Sequence, residues 1–264
     1  SNSVFHSVIQ EFKMHGEEPP EEIVKKMLKA DVVFALTRKS MAHTSASANA
    51  IKSGTKYLSL PDYSKDMIES PALLVDFKSL LSQSKKLAKI LTEGKEIIIK
   101  SELGTDLVCN IANRKGNAAP GFCQGSGTIA SPPDAETNIA LVEDGSNGKL
   151  IVDGSIPCDE LGLLESPIEL TITNGKVINI KGNRANILNK LFDKLNNPKT
   201  RVIAEFGIGL NLLAKLRGSM LEDEGALGTI HIGIGANIVI GGTNSVSFHL
   251  DHIMRNATIW VDNN

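Results

Sequence analysis

Apolar positions in the first ninety-odd residues alternate between two periods. Residues 21–30, behind Pro19 and Pro20, carry Ile23, Met27 and Leu28 at helical spacing. Residues 31–36 form a short β-branched and aromatic run, the pattern of a buried parallel strand. Residues 45–53 are Ala-rich and predict a helix closed by Gly54, and residues 56–60 predict another strand. Residues 73–92 read as a longer amphipathic helix ended by Gly94, and residues 4–12 are expected as a further strand. This order predicts a small doubly wound, Rossmann-like α/β layer over residues 1–95, lacking its first elements.

The pattern changes after Gly94. Short β-rich pieces at 96–100, 150–152, 168–172 and 176–180 are broken by Gly, Asn, Asp and Pro, and Asn174-Gly175 predicts a tight hairpin between the last two. Strands are further expected at 201–208, 229–234, 245–251 and 256–261, with helices at 185–195 and 211–217. Ser219 to Glu222 fits a capping box opening another short helix. The whole is thus expected to be an α/β protein, with a mixed α+β metal-binding domain over residues 96–264 and a boundary near Lys95.

Composition narrows the function classes. A net charge of −2 and 4% aromatic residues argue against a nucleic-acid surface. No apolar stretch reaches membrane-spanning length and the start lacks the regions of a signal peptide, so no membrane partner and a cytoplasmic location are expected. Cys109, Cys123 and Cys158 are dispersed, which fits reduced thiols. The chain opens on Ser1-Asn2 without Met, so a start further upstream is expected.

Three of the six histidines, His231, His249 and His252, fall in the last thirty-odd residues near acidic groups. In His249-Leu250-Asp251 the two-residue period of a strand puts imidazole and carboxylate on one face, with His252 on the other. His231 and Glu205 each sit within apolar strands, where a desolvated polar group needs a partner. A shared cation is one such partner; ordinary hydrogen bonds, or a salt bridge from Glu205 to Arg201 or Lys215, are another, and spacing alone leaves both open. Phe206-Gly207-Ile208-Gly209 and Ile232-Gly233-Ile234-Gly235 do not match G-x-G-x-x-G and instead suggest close backbone approach around a site. His43-Thr44 reads first as a loop or cap and second as a substrate contact.

The ordered set Arg201–Glu205, Gly228–Gly235 and Asn244–Asp251 resembles the metal-binding core of the aminopeptidase T/aminopeptidase S family. That family holds paired divalent metals with two glutamates, two histidines and an aspartate. Ser131-Pro132-Pro133-Asp134-Ala135-Glu136 stands where its first glutamate is found, and Gly104–Leu107 and Gly16–Pro20 extend the similarity over most of the chain. The resemblance implies metal ligands at Glu136, Glu205, His231, His249 and Asp251. It also implies two Zn, Co or Mn ions, Glu136 or Glu205 as proton acceptor, a peptide or other small-molecule substrate and a homodimer. A hydrolase removing N-terminal residues from peptides is the function expected on that basis.

The chain departs from those peptidases in being shorter and in carrying Ile238 near the place of their catalytic tyrosine. The same superfamily includes a 2,5-dihydroxypyridine dioxygenase that binds one iron. It resembles this chain at His249 and Asp251 but has histidine in place of Glu205 and a ligating serine in place of Gly233. Lacking both of those residues, the chain is expected to carry the peptidase-type ligand set, with a ring-cleaving iron dioxygenase or a metal-binding scaffold without turnover as the alternatives.

Overall fold

The computed structural model describes residues 3–12, 16–42 and 44–262. They form a mixed α/β protein with three sheets and few helices, in two compact units.

The smaller unit joins residues 1–69 to 121–132. Its sheet is wholly parallel, in the order Val32–Thr37, Lys56–Pro61, Ile129–Ala130. The predicted helices form as Glu21–Met27 and Ser45–Lys52, and bury Ile23, Met27, Ala46 and Ala50 with Ala35 and Tyr57 of the sheet. Thr44 caps the second helix by accepting from Ser47 N, while His43 lies outside the described residues. Two expectations need correction. Val32–Thr37 is parallel but sits at the sheet edge, with Ala35 its one buried residue and Phe34 63% exposed. Residues 4–12 form no strand: Val4, Phe5 and Val8 are exposed and no neighbouring ladder takes up their backbone groups.

The larger unit joins residues 70–120 to 133–264. Contacts thus place residues 70–94 here and not with the segment before them, unlike the division at Lys95 that composition suggested. The reason is the helix Phe77–Glu93, capped by Asp76 on Lys78 N and Ser79 N, which buries Leu80, Ser84, Ala88 and Leu91. Ser84 Oγ donates to Glu136 O at 3.0 Å and receives Thr137 Oγ1 at 3.0 Å, so this helix fixes the strand on which Glu136 stands.

Two antiparallel sheets make up most of this unit. One runs in the order Lys176–Lys181, Ile168–Thr173, Asn147–Val152, Asp106–Asn110, Glu96–Lys100, Thr258–Val261. The predicted hairpin is present, with Asn174 and Gly175 at φ 47° and 69°, the left-handed pair a tight two-residue turn requires. The other sheet runs Gly162–Leu163, Ser155–Ile156, His249–Arg255, Thr229–Gly235, Ile203–Gly209, Glu136–Ala140, Gly116–Ala119. Its apolar side chains Ile139, Phe206, Ile230, Ile232 and Met254 share one core with Ile97, Leu107, Leu150 and Leu170 of the first sheet.

Residues 211–217 do not make the expected helix. Their amides are taken elsewhere: Leu213 N donates to Asn211 Oδ1, Lys215 N to Glu222 Oε1 and Arg217 N to Asp223 Oδ1. Glu222 is thereby engaged, so Ser219 precedes the short helix Met220–Asp223 without a side-chain cap. The last long strand starts at His249 and not at residue 245. No helix among the described residues is long and apolar enough to cross a membrane.

Candidate metal centre

Strand periodicity puts Glu136, Glu205, His231, His249 and Asp251 on one face of the seven-stranded sheet, opposite the core face. Register then sets their rows. Glu205, Gly233 and Asp251 lie side by side across three strands, and Asn138, Gly207 and His231 form the neighbouring row. The glycines in these rows supply space. A Cβ on Gly207 would lie 2.1 Å from His231 Nε2, and one on Gly233 would lie 2.8 Å from both His249 Nε2 and Glu205 Cβ. Each imidazole therefore lies over a glycine, which gives the Ile-Gly-Ile-Gly pattern its reason.

All five expected side chains come together. His231 Nε2 is 3.2 Å from Glu136 Oε2 and 3.9 Å from Glu205 Oε1. His249 Nε2 is 3.4 Å from Glu205 Oε2 and 3.3 Å from Asp251 Oδ1. The donors fall into two groups, Glu136–Glu205–His231 and Glu205–His249–Asp251, within 4.8 Å inside each, and Glu205 belongs to both. His249 Nδ1 faces Ala236 O at 2.7 Å, which makes Nδ1 the protonated nitrogen in the neutral ring and turns the Nε2 lone pair toward the carboxylates. Glu136 Oε2 is buried and, apart from the His231 ring, meets no hydrogen-bond partner among the described residues. His252 lies on the opposite face, as its place in the strand requires, with Nδ1 at 2.9 Å from Leu250 O and its ring near Phe192.

The electrostatics follow from crowding charges in a dry place. Burial pushes Glu136 up, His231 partly offsets this, and the carboxyl ends at about 7. Burial lowers His231, but Glu136, Asp251 and Glu205 outweigh it and hold the imidazole at about 9. His249 is likewise pushed down by burial and raised well above its usual range by Asp251 and Glu205. For Asp251 burial acts upward, yet His249 holds it below the ordinary carboxylate range.

Sequence reasoning missed two further carboxyls and two amides. Asp134 and Glu224 are both driven well up, first by burial and then by the carboxylates beside them, and Glu224 hydrogen-bonds Asp251. Asn138 Nδ2 donates to Glu136 Oε1 at 2.6 Å, and Asn117 Nδ2 to Asn138 Oδ1 at 3.0 Å. The spacing of Glu136 and Asn138, two apart on a strand, was the available signal for the amide; Glu224, two residues past the capping box expected at Ser219 to Glu222, carried no such signal.

The sequence profile of NicX, 2,5-dihydroxypyridine 5,6-dioxygenase, matches residues 7–264. The chain belongs to the NicX family. Two solved structures are similar to this family member. The 2,5-dihydroxypyridine dioxygenase from Pseudomonas putida KT2440 has a TM-score of 0.80 at 19% identity, covering 97% of this chain and 77% of that one. AmpT from Thermus thermophilus has a TM-score of 0.66 at 14% identity, covering 90% and 74%. At these identities the likeness shows the fold alone. No curated protein matches the sequence.

Membership in NicX overturns the expectation of a hydrolase, an aminopeptidase and a protease. The enzymatic, metal-dependent character of the expectation stands, in a dioxygenase family. Glu205 and Gly233 weighed toward a peptidase because the dioxygenase has other residues there, but carboxylates and imidazoles suit both hydrolytic and oxygen-handling cations, so those two positions do not decide the chemistry.

Proposed function

We propose that this protein is a metal-dependent ring-cleaving dioxygenase acting on a dihydroxylated aromatic or N-heteroaromatic ring of the 2,5-dihydroxypyridine kind. The observation that carries the reading is the family match over residues 7–264, joined to a cluster of exclusively oxygen and imidazole donors, buried except at His249.

The donor set fits a divalent cation such as ferrous iron. Glu136 Oε2 is buried with only the His231 ring beside it, 3.2 Å away, a pairing that a bound cation would replace by displacing the ring proton. His249, Asp251 and Glu205 would hold one ion, and Glu136 and His231 would extend the site through the shared Glu205. When bound, iron would supply coordination positions that bring dioxygen and the ring together, the ring itself giving up the electrons that reduce dioxygen as both oxygen atoms enter the opened product. The remaining work belongs to the chain. Ala236 O fixes the His249 ring, Glu224 restrains Asp251, and the glycine rows keep both imidazoles upright.

The test is an oxygen electrode. Protein loaded anaerobically with Fe(II) and given 2,5-dihydroxypyridine should consume one O2 per ring opened, with loss of the ring's absorbance. Retained iron without oxygen uptake across dihydroxylated pyridines and benzenes would overturn the reading and leave a cation-binding scaffold.

A further inference from the structure

Glu136 is approached from outside the cluster by a chain of amides whose direction is fixed by chemistry. A carboxylate only accepts, so Asn138 must present its NH2 to Glu136 Oε1, at 2.6 Å. Asn138 Oδ1 must then accept, so Asn117 presents its NH2, at 3.0 Å. The second hydrogen of that NH2 meets Ile240 O at 3.2 Å. Asn117 and Asn138 are direct cross-strand partners, which keeps the chain short and in register.

The far end of this chain is a built element. Ile238–Ile240 forms a 3-10 turn after the His231 strand, and Gly241 closes it at φ 102°. Asn237 Nδ2 donates to Glu143 Oε1 and to Ala204 O, and Thr243 N also donates to Glu143 Oε1. Arg114 pairs with Glu143 Oε2 at 2.5 Å and donates to Gly241 O at 2.9 Å. The same loop supplies Ala236 O to His249. One loop thus touches His249 directly and reaches Glu136 through two amides, while Ile238 and Val239 remain exposed on it.

We propose that Asn138 and Asn117 are positioning residues that fix the carboxylate of Glu136 and tie its orientation to the Ile238–Ile240 turn. Asn138 occupies Oε1, which leaves Oε2, 3.2 Å from His231 Nε2, as the oxygen directed at a cation. A displacement of the turn is then transmitted to Glu136 through two amides. This inference rests on the reading of Glu136 as a ligand.

The test is Co(II) binding to the full-length protein, followed by chelator competition and by visible absorption. Asn138→Ala should weaken binding by ~10–100-fold, the range for partners of metal ligands. Asn138→Asp keeps the shape but sets a carboxylate against Glu136, and should be worse than Ala; a merely structural asparagine would give the reverse order. Asn117→Ala should weaken binding less and alter the Co(II) spectrum. Gly241→Ala strains the turn, and combined with Asn117→Ala should give a non-additive loss, because both break one chain. A single cooperative thermal unfolding transition in each variant confirms folding. Wild-type protein that binds no divalent ion would overturn the metal reading together with this inference. Wild-type binding with unaltered affinity and spectrum in the asparagine variants would overturn the relay alone.

Discussion

Gly207 lies directly across the sheet from His231, and a single methyl group on it would fall 2.1 Å from the imidazole Nε2. No rotamer of the glycine's replacement relieves this contact, because the overlap is at Cβ. Gly207→Ala should therefore displace His231, lower stability by roughly 1–3 kcal/mol as overpacking does, and reduce cation affinity at least tenfold. Isothermal titration beside thermal unfolding checks both; unchanged affinity would remove His231 from the ligand set.

Glu205 faces both imidazoles, at 3.9 Å from His231 and 3.4 Å from His249. Because it belongs to both donor groups, Glu205→Ala should cost more affinity than any other single ligand replacement, beyond the ~100-fold that removal of an outer partner produces. Elemental analysis after dialysis should find the variant essentially free of metal. Wild-type metal content in Glu205→Ala would contradict the shared role.

Cation binding should depend on pH in a fixed direction. Without metal, the surrounding carboxylates hold His231 protonated up to about 9 and raise His249 as well, so a cation must displace protons from both rings. Apparent affinity should rise with pH through neutrality toward 9, by about tenfold per pH unit for each proton released. Metal-free protein behaves oppositely: the paired, protonated imidazoles stabilise it below the unfolded histidine value, and that contribution fades as pH rises through about 9. Proton release measured in weakly buffered solution checks the sign, and affinity that fell between pH 6 and pH 8 would refute it.

Cys109 is fully buried, and burial pushes its thiol up to about 12. It should resist alkylation in the folded protein at pH 8 and react at once on unfolding, as mass spectrometry of labelled peptides would show. The raised value also means that the folded state loses stability as pH climbs above the ordinary thiol value, since ionisation then favours the unfolded chain.

Much of the site was legible before any coordinates because strands obey a two-residue period and apolar strands leave few explanations for a carboxylate or imidazole. Glu205, His231, His249 and Asp251 stood out on that ground, and the Asn174-Gly175 turn marked its hairpin. What stayed hidden was non-local. The third strand of the parallel sheet, Ile129–Ala130, arrives from a distant stretch, so a linear boundary could not capture a discontinuous unit. Helical spacing at 211–217 was real, but Glu222 and Asp223 claim the amides that a helix would use. Asn117 matters only through its register with Asn138, which no local pattern reports. The reaction itself was misjudged because donor types constrain the cation far more than the chemistry it serves.

The most direct measurement is isotopic. Iron-loaded protein should be mixed with 2,5-dihydroxypyridine under 18O2 in unlabelled water, and the product examined by mass spectrometry. The account predicts a ring-opened product carrying both atoms of one labelled dioxygen. A product labelled only from water, or an intact ring with iron retained, would contradict it.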